Sequence, residues 1–141
     1  MNVIQALGVI SMSFDLWLYL WPVSIIVVVS AFFGVRALVT QRLLTSWQPI
    51  TTMLCLVIPA VVVPLFATAF WADHLVDTPE TQVAPVHVLA AIQIVFFLVL
   101  GFAVAMSRGF RLPVAGLAIA VAWFGLGVFF VSAMAVSGVW M

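Results

Sequence analysis

Both histidines and three of the four acidic residues of this sequence lie in one short polar segment, residues 70–87, FWADHLVDTPETQVAPVH. His74 lies near its beginning between Asp73 and Asp77, and His87 ends it. Imidazole and carboxylate groups bind copper, zinc and other divalent metals, and two imidazoles can ligate a haem iron. A histidine beside a carboxylate can also relay protons or hydrogen-bond a quinone headgroup. These four side chains are therefore the candidate metal or cofactor ligands.

The same segment also has a simpler interpretation as a solvated connection between two helices. Pro79 and Pro85 stiffen it, and Asp-Thr-Pro-Glu is typical of a turn that begins a helix. Neither a His-x-x-x-His pair nor a Cys/His cluster of known metal geometry occurs. The segment is thus compatible with a haem, copper or quinone site at the outer face of the membrane, and equally with no cofactor.

The composition is that of an integral membrane protein. Of 141 residues, 67% are apolar and 6% are charged, and the mean hydropathy is +1.41; soluble domains are far more polar. The formal net charge is zero and lysine does not occur, so the sequence offers no basic surface for nucleic acid. Cys55 is the single cysteine, which excludes an intrachain disulfide and a Cys-x-x-Cys redox pair. The expected partners are lipids and larger membrane subunits.

Four apolar segments are long enough to cross a bilayer, which takes roughly 20 helical residues. The segments are continuously apolar rather than alternating, which favours helices over strands. Apolar residues at helical spacing near the N-terminus predict a short helix lying on the membrane interface. The sequence thus predicts one all-α membrane domain with four transmembrane helices in a small bundle. Its segments are an interfacial helix at 1–14, spans at about 16–38, 49–72, 87–107 and 112–138, and a polar bridge at 73–86.

Charges divide by sign between alternate connections. Arg36, near the end of the first span, and Arg42 flank the connection to the second span, and Arg108 and Arg111 lie between the third and fourth spans. The acidic residues precede the first span or lie in the 73–86 bridge. Because positively charged loops stay on the cytoplasmic side, both termini and the bridge are predicted to lie outside. The predicted location is a bacterial inner membrane with these parts on its periplasmic side.

Small residues spaced four apart predict close contacts between membrane helices. Gln93 is the single amide within a predicted span, and we expect it to hydrogen-bond a neighbouring helix, with a ligand contact as the less favoured alternative. Pro59 and Pro64 interrupt the second span and predict a kink there. The predicted packing residues are Ser30, Gly34, Gln93, Gly101, Ala105, Gly116 and Ala120.

Three hypotheses on function follow from these features. The first is a non-catalytic accessory subunit of a larger membrane complex, preferably a respiratory or other oxidoreductase complex, because the spans leave few residues for an extramembrane domain. The second is a small homo-oligomeric channel or transporter, although no ionisable residue lies at mid-depth of a span. The third is a haem-, metal- or quinone-binding electron-transfer subunit. Independent catalysis is not expected, since GxSxG, HExxH, P-loop and dinucleotide-binding motifs do not occur.

Overall fold

The computed structural model of the chain describes residues 3–41, 46–70 and 79–138. Within these ranges the protein is helical throughout and contains no strand, which confirms the all-α prediction. The elements are α1 (Val3–Tyr19), α2 (Trp21–Thr40), α3 (Trp47–Leu54), a π-helical turn (Ile58–Val62), α4 (Val63–Ala69), α5 (Pro79–Met106) and α6 (Arg111–Ser137).

Four helical segments of the described chain are long and apolar enough to cross a membrane. The bilayer core offers no hydrogen-bond partners to the backbone, and a helix pairs its backbone N–H and C=O groups internally. The predicted number of spans is confirmed, and the length and composition of these segments indicate an integral membrane protein. The four segments are Trp21–Thr40, Trp47–Ala69, Ala84–Met106 and Arg111–Ser137.

α6 is the central helix. It contacts every other α-helix and the π-helical turn, and more than half of its span is buried, whereas each other span is buried by a third or less. Phe96 of α5 packs into the space left by Gly125, where an added Cβ would lie 2.7 Å from the phenyl ring. Phe96 and Phe129 are almost fully buried, with ring centroids 5.8 Å apart. The core therefore follows α6, and the other helices pack around it.

α2 and α6 approach to backbone contact through two glycines. A Cβ added at Gly116 would lie 2.6 Å from the carbonyl oxygen of Ser30, and one at Gly34 would lie 2.6 Å from that of Pro113. Larger residues at either glycine would push the helices apart. Three of the predicted packing residues thus meet here, and Ala120 lies one turn further along α6, where it is partly buried.

α1 and α2 are separated by a break at Leu20, whose φ of −96° and ψ of 32° are not helical. Pro22 explains the break, because it has no N–H to donate and its ring clashes with the carbonyl four residues earlier. The predicted division between interfacial segment and first span, at residues 14–16, lies inside α1. α1 packs on α4 and α6 and buries Ala6, Val9 and Ser13 on one face. Its depth in the membrane stays a prediction.

The second span is irregular around its prolines. Pro59 cannot donate to the carbonyl of Cys55, which instead accepts the N–H of Ile58 at 3.1 Å. The N–H of Val63 then donates to the carbonyl of Ile58, and this spacing of five residues defines the π-helical turn. α-Helical hydrogen bonding resumes in α4, where Pro64 is accommodated in the first turn.

The described arginines lie at one end of the bundle. Arg108 lies in the tight turn between α5 and α6, and Arg111 is the first residue of α6. Arg36 lies at the same end, because the C-terminal half of α2 meets the first turn of α6. His87, near the beginning of α5, lies at the opposite end of that helix from Arg108. The side of the membrane that each end occupies stays a prediction.

Candidate functional site

The predicted histidine and aspartate site falls mostly outside the described residues. His74, Asp73 and Asp77 belong to residues 71–78, which the structure does not describe. His87 lies in the third turn of α5 with an exposed side chain. Within the described ranges, no group of three or more His, Cys, Asp or Glu residues lies close enough to hold a metal. Metal, haem or quinone binding by the four predicted residues stays a prediction.

A cavity between α1, α5 and α6 is the most distinctive site in the described part of the chain. Its volume is about 330 Å³, which lies at the lower end of the roughly 300–1,000 Å³ typical of small-molecule sites. Among the described residues no charged side chain lines it, and Gln93 is the one amide in a lining that is otherwise aliphatic and aromatic. The lining includes Leu16, Trp17, Gln93, Trp123, Phe130 and Ala133.

Trp17 forms one wall of this cavity, and Gly127 determines its position. The indole nitrogen lies against Gly127, where any side chain would collide with it. The indole also contacts Phe14 and Phe124, with ring centroids 4.8 and 5.0 Å away. Its buried N–H has no hydrogen-bond partner among the described residues. A buried donor without an acceptor lowers the stability of the fold. This part of the wall therefore differs from an ordinary hydrophobic core, in which buried donors are paired.

Trp123 forms another part of the wall and is held by a chain of hydrogen bonds. Its indole N–H donates to Ser24 Oγ at 3.2 Å, and Ser24 Oγ donates to the carbonyl of Trp17 at 3.0 Å. The break between α1 and α2 makes this possible, because the last carbonyls of a helix lack intrahelical donors. One hydroxyl therefore links α1, α2 and α6 beside the cavity.

The amide of Gln93 lies near the middle of the part of α5 that is long and apolar enough to cross a membrane. It is two residues from Val95, the central residue of the span Ala84–Met106, or about 3 Å along the helix axis. Among the described residues the amide has no hydrogen-bond partner. The expected bond to a neighbouring helix is therefore not formed within the described chain, and the side chain borders the cavity instead.

A second hollow of about 430 Å³ adjoins this cavity and shares Trp17 and Trp123 with it. Its lining is almost wholly apolar and comes mainly from α1 and α2, including Phe14, Trp21 and Val28. The two indoles thus border both spaces. Ser24, which holds Trp123, is the polar residue of this second hollow.

Sequence reasoning singled out Gln93 but not the residues that surround it. A tryptophan near the predicted outer end of a span is typical of an interfacial anchor, and that pattern assigns Trp17 to the membrane surface. Gly127 has no partner in any small-residue pair that the sequence displays. The available signal was Trp123, whose mid-span indole N–H requires an acceptor; the acceptor is Ser24.

Comparisons with known proteins find no matching family model, no similar curated protein and no similar solved structure. Function is therefore inferred from the residues and their geometry.

Proposed function

We infer that the protein is a non-catalytic subunit that packs against other membrane chains in a larger complex. The observation that supports this most is an outward-facing stripe on α5, whose members recur at alternating spacings of four and three residues. Such spacing is typical of the seam between two packed helices. The α5 stripe consists of His87, Ala91, Ile94, Leu98, Gly101 and Ala105, all of which are exposed.

Gly101 and Ala105 give the α5 stripe a shape that suits another helix. A Cβ at Gly101 would meet no atom of the described residues within 4 Å. Elsewhere in the chain, the comparable pair Ser30 and Gly34 receives the backbone of α6. Since membrane helices associate where small residues allow close approach, a helix of a partner subunit is the occupant that the α5 stripe fits best.

A respiratory or other oxidoreductase complex of a bacterial inner membrane is the proposed host. This preference rests on His74 and His87, which flank the polar bridge and would lie beside redox groups of a partner at the outer face. The orientation, with both termini outside, rests on the division of charges by sign. The homo-oligomeric channel and the electron-transfer subunit are the alternatives that the same experiment distinguishes.

The test is the composition of the intact assembly after gentle solubilisation from the native membrane. We expect native mass spectrometry to find this chain together with different membrane chains. Gly101→Leu should release it from them, because the larger side chain fills the α5 stripe. Gly8→Leu in α1 is the matched control, since a Cβ at Gly8 also meets no atom within 4 Å in the described part of the chain, and this variant should stay assembled.

Other compositions would contradict the subunit hypothesis. An assembly that contains only copies of this chain would favour the channel. A monomer, or a complex that Gly101→Leu leaves intact, would exclude the α5 stripe as the contact. The visible absorption spectrum of the same sample reports bound haem, and loss of its bands in His74→Ala or His87→Ala would favour the electron-transfer alternative.

A further inference from the structure

We propose that the cavity between α1, α5 and α6 binds the headgroup of a lipid-soluble quinone, with the Gln93 amide as its hydrogen-bond partner. This goes beyond the subunit role, because the cavity is lined by residues of a single chain and needs no partner subunit. It is also separate from the polar bridge at 73–86, because the amide lies near mid-span.

The first step concerns the chemistry of the polar group. The Gln93 amide offers two N–H donors and one carbonyl acceptor and has no hydrogen-bond partner among the described residues. Hydrocarbon cannot satisfy these groups, and each one left unpaired is unfavourable. An occupant of the cavity that carries its own hydrogen-bonding oxygen would therefore be preferred over a plain acyl chain.

The second step concerns depth. Gln93 lies about 3 Å along the helix from the middle of the span, whereas phospholipid ester and headgroup oxygens lie at the edges of a hydrocarbon layer about 30 Å thick. Those oxygens are therefore too distant to reach the amide. The occupant must be apolar enough to enter the bilayer interior with its polar atoms, which is a property of quinones.

The third step concerns charge and shape. The described residues of the lining include no charged side chain, which suits a neutral ligand. Trp17 and Trp123 line the cavity, and aromatic side chains pack favourably with another ring. A quinone carbonyl accepts from the Gln93 N–H, and a quinol hydroxyl donates to the Gln93 carbonyl, so one amide serves either form. The adjoining apolar hollow beside Trp21 and Val28 gives an isoprenoid tail a surface to lie on.

The test uses the full chain alone in lipid nanodiscs, titrated with a decyl-tailed benzoquinone while tryptophan fluorescence is recorded. We expect saturable quenching, with an affinity about tenfold weaker in Gln93→Leu. Ala133→Phe places a ring in the cavity while Gln93 itself is unchanged, and it should abolish the saturable component. Gln41→Leu is the matched control, because Gln41 lies exposed at the end of α2, and it should bind like the unmodified chain.

A vibrational measurement identifies the bond itself. With a carbon-13 label on the quinone carbonyl, the stretching band should shift to lower frequency on binding, and the shift should vanish in Gln93→Leu. Circular dichroism verifies that each variant remains helical.

Three outcomes would overturn the proposal. One is non-saturable quenching that is equal in all variants. Another is equal affinity for decylbenzene, which has no carbonyl and would show that the cavity only accepts hydrocarbon. The third is conversion of a dimer to a monomer by Gln93→Leu without any change in quinone affinity, which would assign the amide to a second copy of the chain. All these measurements exclude partner subunits, so failure here leaves the subunit hypothesis intact.

Discussion

Gly116 and Gly127 lie on the same helix but accommodate different neighbours. Gly116 meets the backbone of α2 at Ser30, and Gly127 meets the indole of Trp17. An indole can shift by rotation about its side-chain bonds, whereas a helix backbone can only move as a unit. Substitution at Gly116 should therefore be the more damaging of the two.

Gly116→Ala should lower the free energy of unfolding by about 1–3 kcal/mol, the cost of overpacking a tight contact. The added Cβ would lie 2.6 Å from the Ser30 carbonyl oxygen, so α2 and α6 must separate. Gly8→Ala is the control, because it gains helix propensity of about 0.5–1 kcal/mol without a collision. Denaturant titration in detergent, followed by circular dichroism, measures both. Equal stability of the two variants would contradict the close approach of α2 and α6.

Ser24 has a larger role than the other serine of α2. Ser24→Ala removes a hydroxyl that accepts from Trp123 and donates to the Trp17 carbonyl. Ser30→Ala removes only a bond to Ile26 within the same helix. We expect Ser24→Ala to cost about 1 kcal/mol, since interhelical hydrogen bonds in membranes average about 0.6 kcal/mol and reach about 1.7.

The same denaturant titration measures this difference, and Ser30→Ala should lie within about 0.5 kcal/mol of the unmodified chain. Tryptophan fluorescence provides a second measurement, because the indole N–H of Trp123 loses its hydrogen-bond acceptor only in Ser24→Ala. Identical effects of both serine substitutions would show that the hydrogen-bond chain does not hold Trp123.

At the scale of the helices, two breaks shape the bundle, and the one at Leu20 borders the cavity. The break between α1 and α2 frees the Trp17 carbonyl for Ser24 and lets α1 pack on α4 and α6. The π-helical turn interrupts the second span near Pro59. Each break coincides with a proline, as the missing N–H requires.

Pro22→Ala should restore helical hydrogen bonding across Leu20 and straighten α1 and α2 into one helix. Spin labels at Leu7→Cys and Val39→Cys, in a Cys55→Ala background, measure the end-to-end distance by pulsed electron resonance. Their backbone separation should increase toward about 48 Å, the length of 32 residues of straight helix.

Pro113→Ala is the control for this experiment. Pro113 lies in the first turn of α6, where the N–H has no intrahelical acceptor in any case. The label distance should therefore not change. A distance that Pro22→Ala leaves unaltered would show that tertiary packing rather than the proline maintains the break.

At the scale of the whole molecule, one helix organises the others. α6 is buried over more than half of its span and contacts every other α-helix, whereas the outer helices turn most of their apolar surface outward. The arginines Arg36, Arg108 and Arg111 collect at one end of this arrangement. Their common position is what the proposed orientation requires.

Cysteine labelling in intact cells measures that orientation. Thr78→Cys, in the acidic bridge, should react with a membrane-impermeant thiol reagent, and Leu112→Cys should react only after permeabilisation. Leu112 is 86% exposed and neighbours Arg111, so the substitution keeps every arginine in place. Both measurements use a Cys55→Ala background. The opposite labelling pattern would reverse the proposed topology.

The sequence by itself determined the class of protein, the number of candidate spans and the irregularity near Pro59. These properties depend on local composition, because crossing hydrocarbon requires about 20 apolar residues and proline always lacks a donor. The division of charges is likewise readable, since each charge must leave the hydrocarbon.

Only the tertiary structure decided which faces of the helices meet. The spans are apolar all round, so periodicity does not separate a buried face from a lipid-facing one. Gly116 and Gly101 occupy similar small-residue pairs in the sequence, yet Gly116 contacts α2 whereas Gly101 faces outward. The cavity beside Gln93 has the same origin: Trp17, Gln93 and Gly127 are distant in sequence and are brought together only because α1 and α5 both pack on α6.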